Sequence, residues 1–336
     1  MIIGGGVVVG AGIVGILTQG AFPLLVIAAA LVGMGGIITS SSGLALLADA
    51  TAARSRSQRF GQQIALGTMA AFTASILAGA LAAPVARFLG TSESDPLTLR
   101  ALVALGGIVG AASAIPVLFI RDIPVPPAVA SQASRLLPRF AAVEIVFGFG
   151  AGSFIPFTNL FFADRFGLSF ASIGIALGSI AIAGSLGALI HGRLVASRLG
   201  QVRGVAAVEF ASLPFALLAV FTGNVALAVV FLATRAALMF GAQATWSAYQ
   251  LSSFTPAERA AANATLALAW SVAAAIAASV SGAIRGAVGP EGFTLNVIAL
   301  AVCYAVGATL VLVLFSGREP QGDMVLVPAS WPTTAD

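Results

Sequence analysis

Ten apolar stretches of membrane-spanning length follow one another along this chain of 336 residues. A helix that crosses the hydrocarbon core of a bilayer needs about 20 predominantly apolar residues. Because lipid offers no hydrogen bonds to the backbone, only helices and closed barrels span it, and long runs without strict apolar–polar alternation predict helices. The chain is therefore predicted to be an all-α polytopic membrane protein with about ten spans, near 1–18, 22–48, 62–86, 101–119, 140–163, 170–190, 204–222, 225–250, 260–284 and 293–315.

The composition supports this fold class and narrows the partners. Hydrophobic residues make up 59% and charged residues 8% of the chain, which excludes a soluble globular domain with a solvated surface. The net charge is +4, but the basic residues are scattered singly between the spans, so we expect the lipid bilayer as partner and not nucleic acid. One cysteine (Cys303) and one histidine (His191) cannot form a disulfide or a structural metal site, and no cofactor is expected.

The basic residues also predict the orientation in the membrane. All 16 are arginines, and loops that carry more Lys and Arg tend to face the cytosol. If the N-terminus is cytoplasmic, eleven arginines of the loops and tail face the cytosol, namely Arg54, Arg56, Arg59, Arg121, Arg135, Arg139, Arg193, Arg198, Arg203, Arg259 and Arg318. Four lie opposite: Arg87, Arg100, Arg165 and Arg285. We therefore expect an integral protein of a bacterial inner (plasma) membrane with both termini cytoplasmic.

Two features describe the organisation of the spans. A proline-rich segment at 121–139 separates an N-terminal bundle of four spans, 1–120, from a C-terminal bundle of six, 140–316, and a tail follows at 317–336. A short segment around Thr51 and another around Thr255, 204 positions apart, each close one long span and open the next in the same direction. This spacing indicates a parallel repeat of the kind found in twelve-helix transporters.

Several local patterns resemble those of the major facilitator superfamily (MFS). Ala48-Asp49-Ala50-Thr51 with Arg54 looks like the family's link between helices four and five, and Thr255-Pro256-Ala257-Glu258-Arg259 is similar to its link between helices ten and eleven. The segment 192–200, with Arg193 and Arg198, resembles a partial copy of the family's cytoplasmic G-x-L-A-D-R-x-G motif. The resemblance implies two six-helix bundles joined by a cytoplasmic linker. The ten spans then correspond to helices three to twelve, so the first bundle is expected to lack two helices.

Candidate site residues fall into three groups. Arg235 lies near the middle of a span, where a charged side chain is costly and usually faces a cavity or a partner. Together with polar residues on the same span and on another, it forms the predicted substrate cavity. The cavity candidates are Arg235, Gln243, Trp246, Gln250, Asn159 and Thr158. Glu144 and Glu209 lie within spans and are the proton-coupling candidates. The resemblance implies a cytoplasmic gate, for which the candidates are Asp49, Arg54, Arg193 and Arg198. Each residue also has a structural alternative, such as an ion pair or an interhelical hydrogen bond.

The predicted function is secondary active transport of a small organic solute by alternating access, with proton-coupled efflux favoured. An apolar cavity with few charges suits amphipathic compounds better than highly charged metabolites. No catalytic set of residues is evident, so an enzyme is not expected. Two alternatives stay open: a truncated or non-transporting membrane protein derived from the MFS, and a complete ten-helix transporter of the drug/metabolite type.

Overall fold

The computed structural model describes residues 6, 9–10, 13, 22–51, 53–92, 95–112, 115, 119, 135–168 and 170–317. Throughout these residues the regular secondary structure is helical, which confirms the predicted all-α class. The helices are α1 (Phe22–Asp49), α2 (Ala53–Leu89), α3 (Pro96–Ala112), α4 (Leu137–Phe154), α5 (Thr158–Phe166), α6 (Phe170–Leu194), the short α7 (Ala196–Leu199), α8 (Gln201–Phe221), α9 (Val225–Ser252), α10 (Pro256–Val288) and α11 (Gly292–Phe315).

The helices agree closely with the predicted spans, with instructive differences. Five helical segments are long and apolar enough to cross a membrane, Leu137–Phe166, Ser172–His191, Gln201–Phe221, Val225–Ser252 and Pro256–Phe315, and the last contains both α10 and α11. The count of ten spans stays a prediction, because most of the first predicted span lies outside the described residues. The predicted linker also lies largely outside them, although α4 begins at Leu137, within its last residues.

Helices α4 to α11 form one bundle around an aromatic core. Helix α4 packs against α10 and α11, α8 packs against α9 and α11, and α9 packs against α6. Near the start of α4, the rings of Phe140 and Phe315 stack with their centroids 4.4 Å apart, and Trp246, Tyr249 and Phe254 surround Phe140. Buried rings of α4, α5 and α11 form a second cluster near the other end of the bundle, at Phe154, Phe161, Phe162 and Phe293.

The first bundle contacts the second along a seam formed by α1 and α2 against α6, α9 and α10. A small apolar core, Ala48, Phe60, Ala244, Ala248 and Leu251, is buried in this seam. We call its location the closed end: the end of the bundles where α1 ends and α2 begins, and where α9 ends and α10 begins. On α1, Ala45 and Ala48 are buried at the closed end, whereas Met34 and Ile27, further from it, are each 57% exposed.

Glycine lets α2 and α6 approach closely. A Cβ atom added at Gly61 would collide with the backbone oxygen of Ala188, and one added at Gly178 would collide with the ring of Phe72. Between these contacts, the hydroxyl of Ser185 lies 3.4 Å from the carbonyl oxygen of Ala65. The two helices are therefore antiparallel across the seam, and their contact extends from the closed end about 16 Å along α2.

Candidate functional site

Two arginines at the closed end join the bundles. Arg259, at the start of α10, forms an ion pair with Asp49 at the end of α1. Arg56, near the start of α2, donates from Nη1 to the Ser252 hydroxyl at the end of α9, at 2.6 Å. Both arginines are buried, with 6% and 5% of their surfaces exposed. Each of these contacts therefore connects one bundle to the other through a largely desolvated guanidinium group.

Each arginine is also anchored within its own bundle. Arg259 Nε donates to the carbonyl oxygen of Leu251 at 3.0 Å, and Arg56 Nη2 donates to that of Ala48 at 2.9 Å. Arg56 lies before the predicted span 62–86, and burial together with the charge of Arg259 lowers its pKa to about 10, against an opposing effect of Asp49. These hydrogen bonds to backbone carbonyl oxygens partly replace the water that the two guanidinium groups lose on burial.

A chain of three polar side chains crosses the seam beside the arginines. The hydroxyl groups of Ser57 on α2 and Thr245 on α9 lie 3.0 Å apart, and Thr245 Oγ1 lies 2.9 Å from His191 Nδ1 on α6. All three side chains are buried. The seam at the closed end is thus both apolar and hydrogen-bonded. The hydrogen bonds satisfy the polar side chains that are buried there together with the apolar ones.

A second polar cluster lies inside the second bundle. Glu144 on α4 accepts two hydrogen bonds at Oε1, from Trp246 Nε1 at 2.8 Å and from Gln250 Nε2 at 2.6 Å. Arg235 on α9 has its guanidinium carbon 5.1 Å from the centre of the Tyr304 ring on α11. Glu209 on α8 is buried in the same bundle.

The structure groups the predicted residues differently from the sequence. Three predicted cavity residues, Arg235, Trp246 and Gln250, are buried in the cluster that contains the predicted proton-coupling residues. The other three do not join it: Gln243 and Asn159 are exposed, and Thr158 is half-buried and donates to the carbonyl oxygen of Ile155 at 2.8 Å.

The predicted gate residues are also dispersed. Asp49 pairs with Arg259 across the seam, and Arg198 is exposed on α7. The side chains of Arg54 and Arg193 lie outside the described ones. Among the described residues, the predicted gate residue Asp49 therefore pairs with Arg259, which lies in the segment that resembles the family's link between helices ten and eleven.

Comparison with solved structures identifies the architecture. The crystal structure of the Escherichia coli fucose:proton symporter FucP aligns with 92% of this chain and 82% of its own, with a TM-score of 0.69 and 14% identity. A bacterial homologue of the iron transporter ferroportin, in an outward-facing state, aligns with 94% of the chain and 83% of its own, with a TM-score of 0.68 and 17% identity. The chain has the MFS fold. The human organic anion transporter MFSD10 (TETRAN) aligns with 94% of the chain and 75% of its own, at a TM-score of 0.62 and 15% identity.

No protein-family model matches the chain, and no curated protein matches it. The TM-scores of 0.69 and 0.68 establish the MFS fold, whereas sequence identities of 14 to 17% leave the substrate open. The apolar helices and the fold together establish an integral membrane protein.

Several functional candidates were missing from the sequence-based set, among them Arg56, Ser57, Ser252 and Tyr304. A signal for two of them exists in the internal repeat. Arg56 and Arg259 are 203 positions apart, as are Asp49 and Ser252. When the two halves of the MFS fold are aligned in this register, Arg56 corresponds to Arg259 and Asp49 corresponds to Ser252. The threonines that reveal the repeat are 204 apart, and that one-residue difference conceals the equivalence.

Proposed function

We propose that this chain is a secondary active transporter that moves a small organic solute by alternating access, and that it exports the solute in exchange for protons. The observation that carries the proposal is the one-sided seam. The described polar contacts between the bundles lie at or near the closed end, where two arginines and an apolar core join them, and Met34 and Ile27 of α1, further from it, are exposed.

A seam of this kind is what alternating access requires. Rocking of two bundles about a central site closes one side as it opens the other. The described contacts at the closed end are built from separable groups: a charge pair, a hydrogen bond from an arginine to a serine hydroxyl, and small apolar residues. Such an interface can be broken and remade during a transport cycle. The FucP structure in the outward conformation aligns with 92% of the chain at a TM-score of 0.70, which supports assigning the closed end to the cytosolic side.

Proton coupling is supported by the second-bundle cluster. Ionisable residues within membrane segments are rare and commonly mark ion pathways, and here the buried Glu209 and Arg235 and the half-buried Glu144 belong to one bundle. The described cavity candidates carry few charges, which favours an amphipathic solute over a highly charged one.

The direct test is solute flux into inverted membrane vesicles. A panel of amphipathic compounds is offered while a proton gradient is imposed and then collapsed with a protonophore. We expect at least one compound to accumulate with the gradient present and to stop accumulating after its collapse. Flux that continues after the protonophore has collapsed the gradient contradicts proton coupling. Absence of flux for every compound of the panel favours a non-transporting membrane protein.

A matched pair of variants connects flux to the seam. Arg259→Gln removes the ion pair between the bundles, whereas Arg285→Gln removes an ion pair with Asp164 that lies within the second bundle and is partly exposed. We expect the first to change flux by about tenfold or more and the second by less than about twofold, because breaking a buried pair costs far more than breaking an exposed one.

A further inference from the structure

The single histidine of the chain stands at one end of the hydrogen-bonded chain that crosses the seam. His191 Nδ1 lies 2.9 Å from Thr245 Oγ1, which lies 3.0 Å from the Ser57 hydroxyl of the first bundle. His191 is 5% exposed, and a Cβ atom added at Gly241 of α9 would collide with its side chain. The backbone of Gly204 on α8 is a further polar neighbour of the ring. The ring is therefore packed inside the second bundle, while its polar contact leads to the first.

The protonation state of the ring sets the direction of these hydrogen bonds. A neutral imidazole has one donor and one acceptor nitrogen, whereas an imidazolium has two donors. With a neutral ring that carries its proton on Nε2, Ser57 donates to Thr245 and Thr245 donates to Nδ1 of His191. With both ring nitrogens protonated, Nδ1 donates to Thr245, and Thr245 then donates to Ser57. The added proton therefore reverses the hydrogen bond between the bundles.

The described surroundings of His191 hold little to compensate for a positive charge. Helix α6 packs against α2, α5, α7 and α9. The charged and titratable residues described on these helices and on α8 are Arg56, Arg59, Arg87, Asp164, Arg165, Arg198, Arg203, Glu209, Arg235 and Tyr249. Within this set neither carboxylate forms an ion pair with His191, and Asp164 lies at the opposite end of α6, where it pairs with Arg285. The residue next to Ser57 is the buried Arg56, which carries the same charge as an imidazolium.

These contacts give the closed end a preference for the neutral ring. Burial of a charge is costly unless a partner or a set of hydrogen bonds compensates for the lost water. In the closed seam an imidazolium at His191 would have the Thr245 hydroxyl and no described carboxylate. Opening of the seam admits water to this position and removes that cost.

We propose that His191 is a proton-binding switch of the closed end: a proton on the ring releases the seam, and loss of the proton lets the seam close. The proposal rests on the alternating access proposed above and adds its regulation. The sign of the pH dependence follows from linkage. Because the open state binds the proton better, the closed state is favoured above the pH range in which the ring titrates and is lost as the pH falls through it.

Distances between spin labels across the closed end test the switch without any solute. In a Cys303→Ser background, Arg59→Cys on α2 and Leu199→Cys on α7 place one label on an exposed position of each bundle. Double electron–electron resonance of the protein in nanodiscs then gives the ratio of long to short distances. Between about pH 8 and about pH 5.5, where histidine changes its charge, we expect this ratio to rise about tenfold or more.

Two variants assign the response to the ring. His191→Gln keeps a neutral polar side chain that takes up no proton, and we expect its ratio to stay low at both pH values. The control is Ser185→Ala on the same helix, where the hydroxyl donates to the carbonyl oxygen of Ala181 at 3.0 Å. It should respond to pH like the unsubstituted protein.

Nuclear magnetic resonance of the ring supplies an independent measurement. Because the chain has one histidine, ¹⁵N-labelled histidine gives signals from a single ring in a protein purified through a tag without histidine. We expect a neutral ring at about pH 8 and an imidazolium at about pH 5.5, with the change in the same pH range as the change in distance. This measurement uses the unsubstituted ring, so it holds even if His191→Gln does not fold.

The other outcomes overturn the switch. A distance change that persists in His191→Gln assigns the pH response to another group. A ring that stays neutral throughout, or that titrates while the distances stay constant, removes the connection between His191 and the seam. If ring and distances change together but vesicles show no flux of any solute, the switch stands and the transport proposal fails.

Discussion

Arg56 and Arg259 make the same two contacts in opposite bundles. Each donates to the carbonyl oxygen of the residue eight positions earlier, at the end of the preceding helix, and each reaches across the seam to a residue at the equivalent position in the other half. That residue is Asp49 opposite Arg259 and Ser252 opposite Arg56, so the accepting group is ionised in one arm, the charged arm, and uncharged in the other, the neutral arm. The seam of this MFS fold is symmetric in geometry and asymmetric in strength.

The neutral arm predicts a substitution that strengthens the closed end. Ser252→Asp places a carboxylate opposite Arg56, where the serine hydroxyl now accepts a hydrogen bond at 2.6 Å. The hydroxyl already accepts from a charged guanidinium, and a carboxylate there adds the attraction of an opposite charge in a largely desolvated place, so we expect the closed end to open about tenfold less often and flux to fall accordingly.

Thiol labelling measures that closure. Cys303 is the sole cysteine of the chain, so a Cys303→Ser background with Ser57→Cys gives one reporter in the seam. We expect its labelling by a membrane-impermeant maleimide to slow markedly in Ser252→Asp. The control is Ser253→Asp, one residue further on, where the serine donates to the carbonyl oxygen of Tyr249 in its own helix; equal slowing in both variants would refute the specific pairing.

The charged arm predicts the opposite change. Asp49→Asn leaves the guanidinium of Arg259 buried without its counter-charge, and removing one member of a buried ion pair costs about 3–5 kcal/mol. We expect the labelling of Ser57→Cys to accelerate, and the exchange of the two residues in Asp49→Arg with Arg259→Asp to restore part of the original rate. The exposed pair supplies the control, because Asp164→Asn should change stability by less than about 1 kcal/mol.

The close approach of α2 to α6 gives a steric prediction. Gly61→Ala pushes a methyl group into the backbone oxygen of Ala188, which cannot move independently of α6, whereas a Cβ at Gly67 on the same helix meets nothing within 4 Å. We expect Gly61→Ala to open the seam, and Gly67→Ala to be neutral or stabilising by about 0.5–1 kcal/mol because alanine favours the helix. Thermal unfolding followed by circular dichroism compares them, and equal midpoints would show that the seam tolerates the methyl group.

Hydropathy predicted where helices lie but not where they begin and end. The predicted span 62–86 corresponds to α2, which starts at Ala53, because its polar first turns are helical without being apolar. The predicted span 140–163 is divided by a 3-10 segment at Ile155–Phe157; Pro156 lacks an N–H and cannot continue the α-helical pattern, yet its apolar neighbours keep the hydropathy high.

The candidate site was less predictable for a geometric reason. Spacing placed Gln243, Trp246 and Gln250 on one helical face, but only the packing of α9 against its neighbours decides which members face Glu144. Arg235 was expected to face a cavity or a partner; the structure buries it beside the Tyr304 ring, and which groups surround it depends on how α8 and α11 are turned. Such orientations arise from contacts between distant segments, which no local pattern encodes.

The bonds to Glu144 give a last prediction, on stability. Trp246→Phe keeps most of the buried ring, which packs on Phe140 and Phe315, and removes one of the two donors to the carboxylate. Leaving a buried acceptor less satisfied costs about 1–3 kcal/mol, and we expect a lower unfolding midpoint in the reconstituted protein. Trp270→Phe is the matched control because that side chain is 37% exposed and should change the midpoint little. Similar midpoints for both variants would mean that Gln250 alone holds Glu144, in which case Gln250→Met should produce the larger loss.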